Sequence, residues 1–92
     1  MRHVNISVKG KVQGVYFRLT TKAIADHLGI KGFVTNLSDG SVYVEAEGDQ
    51  FSLDSLIEFC EEGPERAEVA HVSVEDGELK NFKNFEVVKK IK

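Results

Sequence analysis

One cysteine, one proline and no long apolar run mark this 92-residue chain. A lone Cys60 cannot close an internal disulfide, which excludes a disulfide-stapled scaffold. The histidines His3, His27 and His71 are scattered over three segments, so a zinc centre has no clustered donor set. No metal and no cofactor are expected. Apolar stretches span only a few residues, far short of the roughly 20 that a membrane-crossing helix needs. The opening Met1, Arg2, His3, Val4 and Asn5 lack the apolar block of a secretory signal. The expected address is cytoplasmic, without a membrane partner. With 41% hydrophobic and 29% charged residues the composition is that of an ordinary globular protein. Residues 1–92 are expected to form one domain, a monomer by default.

Negative charge is missing from the first quarter of the chain. Residues 1–25 hold Arg2, Lys9, Lys11, Arg18 and Lys22 without an Asp or Glu, a local charge of +5, whereas the rest carries −8 for a net −3. Thirteen acidic groups between Asp39 and Glu78 stand against Arg66 alone, which reads as a solvated acidic face. Nucleic-acid coating rests on Lys and Arg neutralising phosphates, and this balance opposes it. A basic segment on an acidic body favours instead a compact anion bound at one place.

Val4, Ile6 and Val8 alternate with Asn5, Ser7 and Lys9, the period-2 pattern of a half-buried strand over His3 to Lys9. Gly10 to Phe17 has no such period and reads as a loop. Phe17, Thr21, Ile24 and Leu28 then fall on one helical face, closed by Gly29 as a left-handed cap. Gly32 to Leu37 reads as a short strand, Ser38 to Ser41 as a turn, and Val42, Val44 and Ala46 as the inward face of a third strand paired with it. Asp49 is the expected N-cap of a second helix with Leu53, Leu56, Ile57 and Cys60 on one face, ended by Gly63 and Pro64. Val69 to Glu75 reads as a fourth strand, Asp76 and Gly77 as a turn, and Phe85 to Val88 as a short terminal strand.

The order strand, helix, strand, strand, helix, strand predicts a ferredoxin-like βαββαβ α/β sandwich: an antiparallel sheet of four to five strands with two helices on one face. Right-handed crossovers make the first two strands parallel with the third between them. About 12 helical residues advance roughly 18 Å, and the return strand covers a similar distance at about 3.3 Å per residue. Asn36 should therefore come back beside the Gly10 to Arg18 loop.

That loop runs straight into a helix start, where unpaired backbone N–H groups and the positive end of the helix dipole make a nest for a phosphate-sized anion. Arg18 in the first helical turn opposes that dipole and needs a reason. A bound dianion supplies one, since guanidinium offers bidentate donors to phosphate oxygens. A bland reading, a connector followed by a solvated Arg, fits the same residues. Asn36 is unusual in a strand and can be a turn-maker toward Ser38, or a carboxamide that holds a water. Asp39 reads as a turn residue, Cys60 as core, and His27 and His71 as structural or solvated.

The segment GKVQGVYFR from Gly10 to Arg18, followed by GFVTNLSDGSV from Gly32 to Val42, resembles the acylphosphatase family over essentially the whole chain. Gly63 and Pro64 also resemble it, and Thr35 departs from it, standing where many members carry Arg or Lys. The resemblance implies an acylphosphate phosphohydrolase, acting on a small acyl phosphate. It implies that Arg18 is the phosphate-binding catalytic arginine, that Asn36 orients the nucleophilic water, and that the N–H groups of Gly14, Val15, Tyr16 and Phe17 form the phosphate cradle. Hydrolysis of an acyl phosphate expels a carboxylate, which needs no strong general acid, so Arg, amide N–H groups and Asn suffice.

Two rivals come from other classes. The same strand order builds RNA recognition motifs, and Lys31 to Val34 faintly echoes their signature, but on the second strand rather than the third, where Glu45 and Glu47 would repel RNA. No nucleic-acid partner is expected. A non-catalytic small-anion or regulatory binding module of the same fold is the other alternative.

Overall fold

In the computed structural model, which describes residues 1–89, the first alternating segment becomes strand β1 (Arg2–Lys11), with Val4, Ile6 and Val8 fully buried. The helix α1 (Phe17–Leu28) follows, then β2 (Lys31–Asn36), β3 (Val42–Gly48), α2 (Gln50–Glu62), β4 (Glu68–Gly77) and β5 (Phe85–Val88). The strands lie in the order β4-β1-β3-β2-β5. β3 is antiparallel to both β1 and β2, so β1 and β2 are parallel across it, as the crossover rule requires. Both helices pack on one side of the sheet, over a core that includes Phe17, Val34, Val44, Leu53, Leu56 and Cys60.

The helix ends are set by local chemistry. Gly29 takes φ 74°, and the N–H of Ile30 turns back to Ala25 O at 2.9 Å. The Asp49 carboxylate accepts the Ser52 N–H at 2.8 Å, the expected N-cap of α2. The buried stripe of α1 is Phe17, Thr21 and Ala25, with Ile24 and Leu28 at its margin. Thr21 is accommodated because its hydroxyl donates to Phe17 O at 2.8 Å.

Three expectations are corrected. The sheet is mixed rather than antiparallel throughout, because β5 lies parallel to β2. Asp76 and Gly77 continue β4 instead of turning. β1 starts at Arg2 and supplies them with partners, His3 standing opposite Gly77 and the Arg2 guanidinium meeting Asp76 at 2.5 Å. The third correction concerns the acidic face. Glu45 and Glu47 lie on the side of the sheet away from the helices, yet they are 7% and 1% exposed. The connection between β4 and β5 folds over them.

Those carboxylates are buried because their oxygens are satisfied. Glu47 accepts the backbone N–H of Lys80 at 2.5 Å, that of Phe82 at 3.1 Å, and Nδ1–H of buried His3 at 2.7 Å. Glu45 accepts from Lys80 Nζ and from the Tyr43 hydroxyl, both at 2.8 Å. His3 also has Nε2 at 2.9 Å from Asn5 Oδ1 and stacks on Phe82. Burial alone would raise the Glu47 carboxyl; the Lys80, His3 and Phe82 donors outweigh it and hold it below the usual glutamate range. Glu45 is likewise pushed up by burial and pulled down further by Lys80 and Tyr43.

A carboxyl lowered in the folded state stabilises fully above its ordinary value of 4.5 and loses that contribution as pH falls through the lower folded value. Urea midpoints should therefore fall as the pH drops below 4.5 toward the lower folded value, and Glu47→Gln should flatten the fall. At neutral pH Glu47→Ala should lower the unfolding free energy by about 3 kcal/mol, since it strands His3 and two amides. Equal acid slopes in wild type and Glu47→Gln would count against this account.

Candidate active site

The loop between β1 and α1 is shaped by its backbone. β1 and β4 slip register between Lys9 and Gly10. At Gly10 the chain takes φ 133°, and a Cβ would sit 2.2 Å from Glu68 O, so only glycine fits the bulge. Gly14 and Tyr16 follow with φ 74° and 63°. Tyr16 is a left-handed residue with a bulky side chain, a conformation that costs energy and concentrates at functional sites.

Tyr16 stands at the N-cap of α1 without a side-chain hydrogen bond to the first turn. At this entrance the backbone bond formed is Thr20 N–H to Tyr16 O at 3.0 Å. Among the described residues the N–H groups of Val15, Tyr16, Phe17 and Arg18 are left without an acceptor. No acidic residue occupies the first turn. Arg18 adds its positive charge to the positive end of the dipole, and both are relieved by an anion placed between them.

Asn36 ends β2 and lines the same cavity as Gly14, Tyr16 and Arg18, an opening of about 520 Å³. The structure thus brings Arg18, Asn36, Gly14, Tyr16 and Phe17 together, as the strand and helix lengths require. Val15 turns its side chain inward and is buried, contributing backbone to the loop. Asn36 Oδ1 is buried and has no hydrogen-bond partner. The turn contact toward Ser38 is not made. Such an orphaned acceptor is uncommon in a folded chain and asks for a water or ligand.

Gln13 ties the two segments together. Its Nε2 donates to Leu37 O at 2.8 Å and to Ser41 O at 2.9 Å, reaching from the loop to the turn that follows Asn36. Asp39 is spent on that turn, accepting the Ser41 N–H at 2.9 Å and hydroxyl at 2.6 Å, with its carboxyl lowered by the same contacts. Cys60 is buried in the core, and burial pushes its thiol up to about 12, so no thiolate is offered. His27 and His71 lie outside the cavity. Among the described residues no group of three or more His, Cys, Asp or Glu is placed to hold a metal ion.

Sequence reasoning missed Lys89, Leu19 and Val87, which line the cavity with Arg18 and Asn36. The parallel pairing of β5 with β2 sets Val88 opposite Thr35, so the next residue arrives level with Asn36. Recognising the terminal strand as the parallel neighbour of β2 would have found Lys89. It gives the site a second cation.

The family model described as acylphosphatase matches residues 4–87. An acylphosphatase of Archaeoglobus fulgidus is 45% identical over 84 residues, 91% of this chain and 94% of that protein. The crystal structure of an acylphosphatase from Bacillus subtilis superposes with a TM-score of 0.92 at 35% identity, covering 96% of this chain and 99% of that one. An acylphosphatase from Coxiella burnetii gives 0.91 at 37% identity, with 95% and 92% covered.

Removing the Gln13 staple should loosen the loop from the turn. Gln13→Ala is expected to lower unfolding free energy by about 1–2 kcal/mol, for two hydrogen bonds to carbonyls. It should also speed amide hydrogen exchange from Gly14 to Arg18 and from Leu37 to Ser41 more than in the core. Uniform acceleration throughout the chain would contradict a local staple.

Proposed function

The chain belongs to the acylphosphatase family and hydrolyses acyl phosphates to a carboxylate and inorganic phosphate, and on that premise we propose how its residues do so. Arg18 grips the phosphoryl group, the N–H groups of Gly14, Val15, Tyr16 and Phe17 cradle its oxygens, and Asn36 holds the attacking water. The observation that carries this is the buried, unpartnered Asn36 Oδ1 in the cavity that also contains Arg18. An acceptor in need of a donor accepts a hydrogen bond from one water O–H and leaves the water lone pair aimed at phosphorus.

In the step itself the water oxygen forms a bond to phosphorus while the bond from phosphorus to the carboxyl oxygen breaks. The bonding pair leaves with the carboxylate, and the water proton passes to a phosphate oxygen. The leaving group is stable as an anion, so no side chain has to protonate it. What remains is the charge on the phosphoryl oxygens, which the guanidinium and the fixed amides stabilise without reorganising. Lys89 adds a positive charge to the cavity wall, next to the end of β2.

A non-catalytic anion-binding module is not favoured, since the relatives matched over most of their length are enzymes by name. The reading extends to a single domain working as a cytoplasmic monomer without nucleic-acid partners. The lone cysteine is a buried thiol. No helix of the described residues is long and apolar enough to cross a membrane.

Phosphate release from benzoyl phosphate tests the roles. Arg18→Gln should raise KM and lower kcat together, cutting kcat/KM by about 100-fold or more. Asn36→Ala should lower kcat by about 100-fold with KM little changed. Turnover retained by both folded variants would overturn the assignment, as would a phosphorylated enzyme accumulating during turnover.

A further inference from the structure

β5 is short, but its start is held from two sides. The Gly32 N–H donates to Asn84 O at 2.8 Å, Lys22 Nζ of α1 donates to Phe85 O at 3.1 Å, and Phe85 itself is buried in the core. From there β5 runs parallel to β2, with Val34 opposite Val87 and Thr35 opposite Val88. Val34 and Val87 both belong to the packing under the helices. Side chains alternate along a strand, so two residues further on Asn36 and Lys89 emerge on that same face, from chains about 4.8 Å apart. It is the face over which α1 begins.

The cavity has two lobes, and Arg18, Asn36 and Lys89 line both of them. Arg18 reaches it from the first turn of α1 and Lys89 from the end of β5, so two cations converge on one opening from different elements. Among the described residues no carboxylate lines either lobe. A lysine at the end of an edge strand is ordinarily a solvated charge on a flexible stem. Here it shares a cavity with a guanidinium and an uncapped helix start, and nothing in the lining offsets the three. An anion seated between them turns their mutual repulsion into attraction, and a dianion does so for both side chains at once.

Resting on the roles given above to Arg18 and Asn36, we propose that Lys89 is a second substrate-binding cation, whose ammonium holds the dianionic phosphoryl group from the β5 side while Arg18 holds it from α1. The guanidinium supplies planar, paired donors, and the ammonium supplies a compact charge on a stem long enough to follow the group. The phosphoryl oxygens are charged before the reaction begins, and in a loose transition state the added charge appears on the leaving carboxylate oxygen. Lys89 thus contributes about equally to the ground state and the transition state, which lowers KM and leaves kcat nearly unchanged. Inorganic phosphate presents the same dianion, so its affinity depends on the same ammonium.

The test uses Lys89→Met, Lys89→Arg and, as a control for net charge, Lys83→Met, a change at an exposed lysine outside both lobes. With benzoyl phosphate, Lys89→Met should raise KM about tenfold with kcat within about twofold, and raise the inhibition constant of inorganic phosphate by a similar factor. Lys89→Arg should restore both constants, and Lys83→Met should match wild type. The KM of wild type should climb more steeply with sodium chloride than that of Lys89→Met, because the variant has one exposed charge contact fewer to screen. Unchanged KM and phosphate inhibition in Lys89→Met, or equal losses in Lys89→Met and Lys83→Met, would overturn the second cation while leaving Arg18 and Asn36 in their roles. A fall in kcat that Lys89→Arg fails to rescue would mark a structural effect and overturn it as well. Wild type that releases no phosphate would overturn the phosphate site itself, and this inference with it.

Discussion

Like charges are forced together at the start of α1, and much of the site follows from that. The uncapped first turn presents the positive end of a helix dipole, no carboxylate neutralises it, and Arg18 adds a full positive charge beside it. Left to itself such an arrangement is unfavourable. A dianion placed there would reverse its sign, which is the role proposed above for the phosphoryl group. The left-handed Tyr16 is part of this constraint, because the turn it makes delivers the loop into α1 without a side-chain cap.

The other half of the site is a matter of length. α1 carries the chain away from the loop and β2 brings it back, and the two spans nearly cancel. Asn36, the last residue of β2, therefore returns to the cavity where α1 began. Gln13 then holds loop and turn in register through two carbonyls, which converts approximate topological proximity into fixed geometry. Positioning of this kind suits a reaction whose leaving group is already a good one.

The features legible in the sequence were those written in local patterns. The alternation of Val4, Ile6 and Val8, the N-cap Asp49 and the cap Gly29 each follow from a few neighbouring residues, and each is found in the fold. Arg18 and Asn36 became candidates because each breaks a local preference, and the crossover rule brought them together. What escaped was set by long-range pairing. The parallel placement of β5 is fixed by four residues that carry no direction of their own, so Val87 and Lys89 could not be assigned to the cavity. Glu45 and Glu47 read as solvated because their burial depends on a segment more than 30 residues further along, whose backbone amides serve Glu47 and whose Lys80 ammonium serves Glu45.

That distant segment also bears on the site. Glu47 fixes the backbone at Lys80 and Phe82, Phe82 packs edge-on against Phe33 of β2, and Gly32 N–H donates to Asn84 O at 2.8 Å just before β5 begins. Gly32 is required there for a further reason, since a Cβ would lie 1.8 Å from Glu45 O. β5 thus enters the sheet already tied to β2 and β3, and its far end carries Val87 and Lys89 to the cavity wall. The buried carboxylates on one face of the sheet and the cationic cavity at its edge are joined through a single edge strand. Glu45 and Glu47 are in this respect part of the scaffold that carries the cavity wall, while the other acidic residues from Asp39 to Glu78 form the exposed surface read from the sequence.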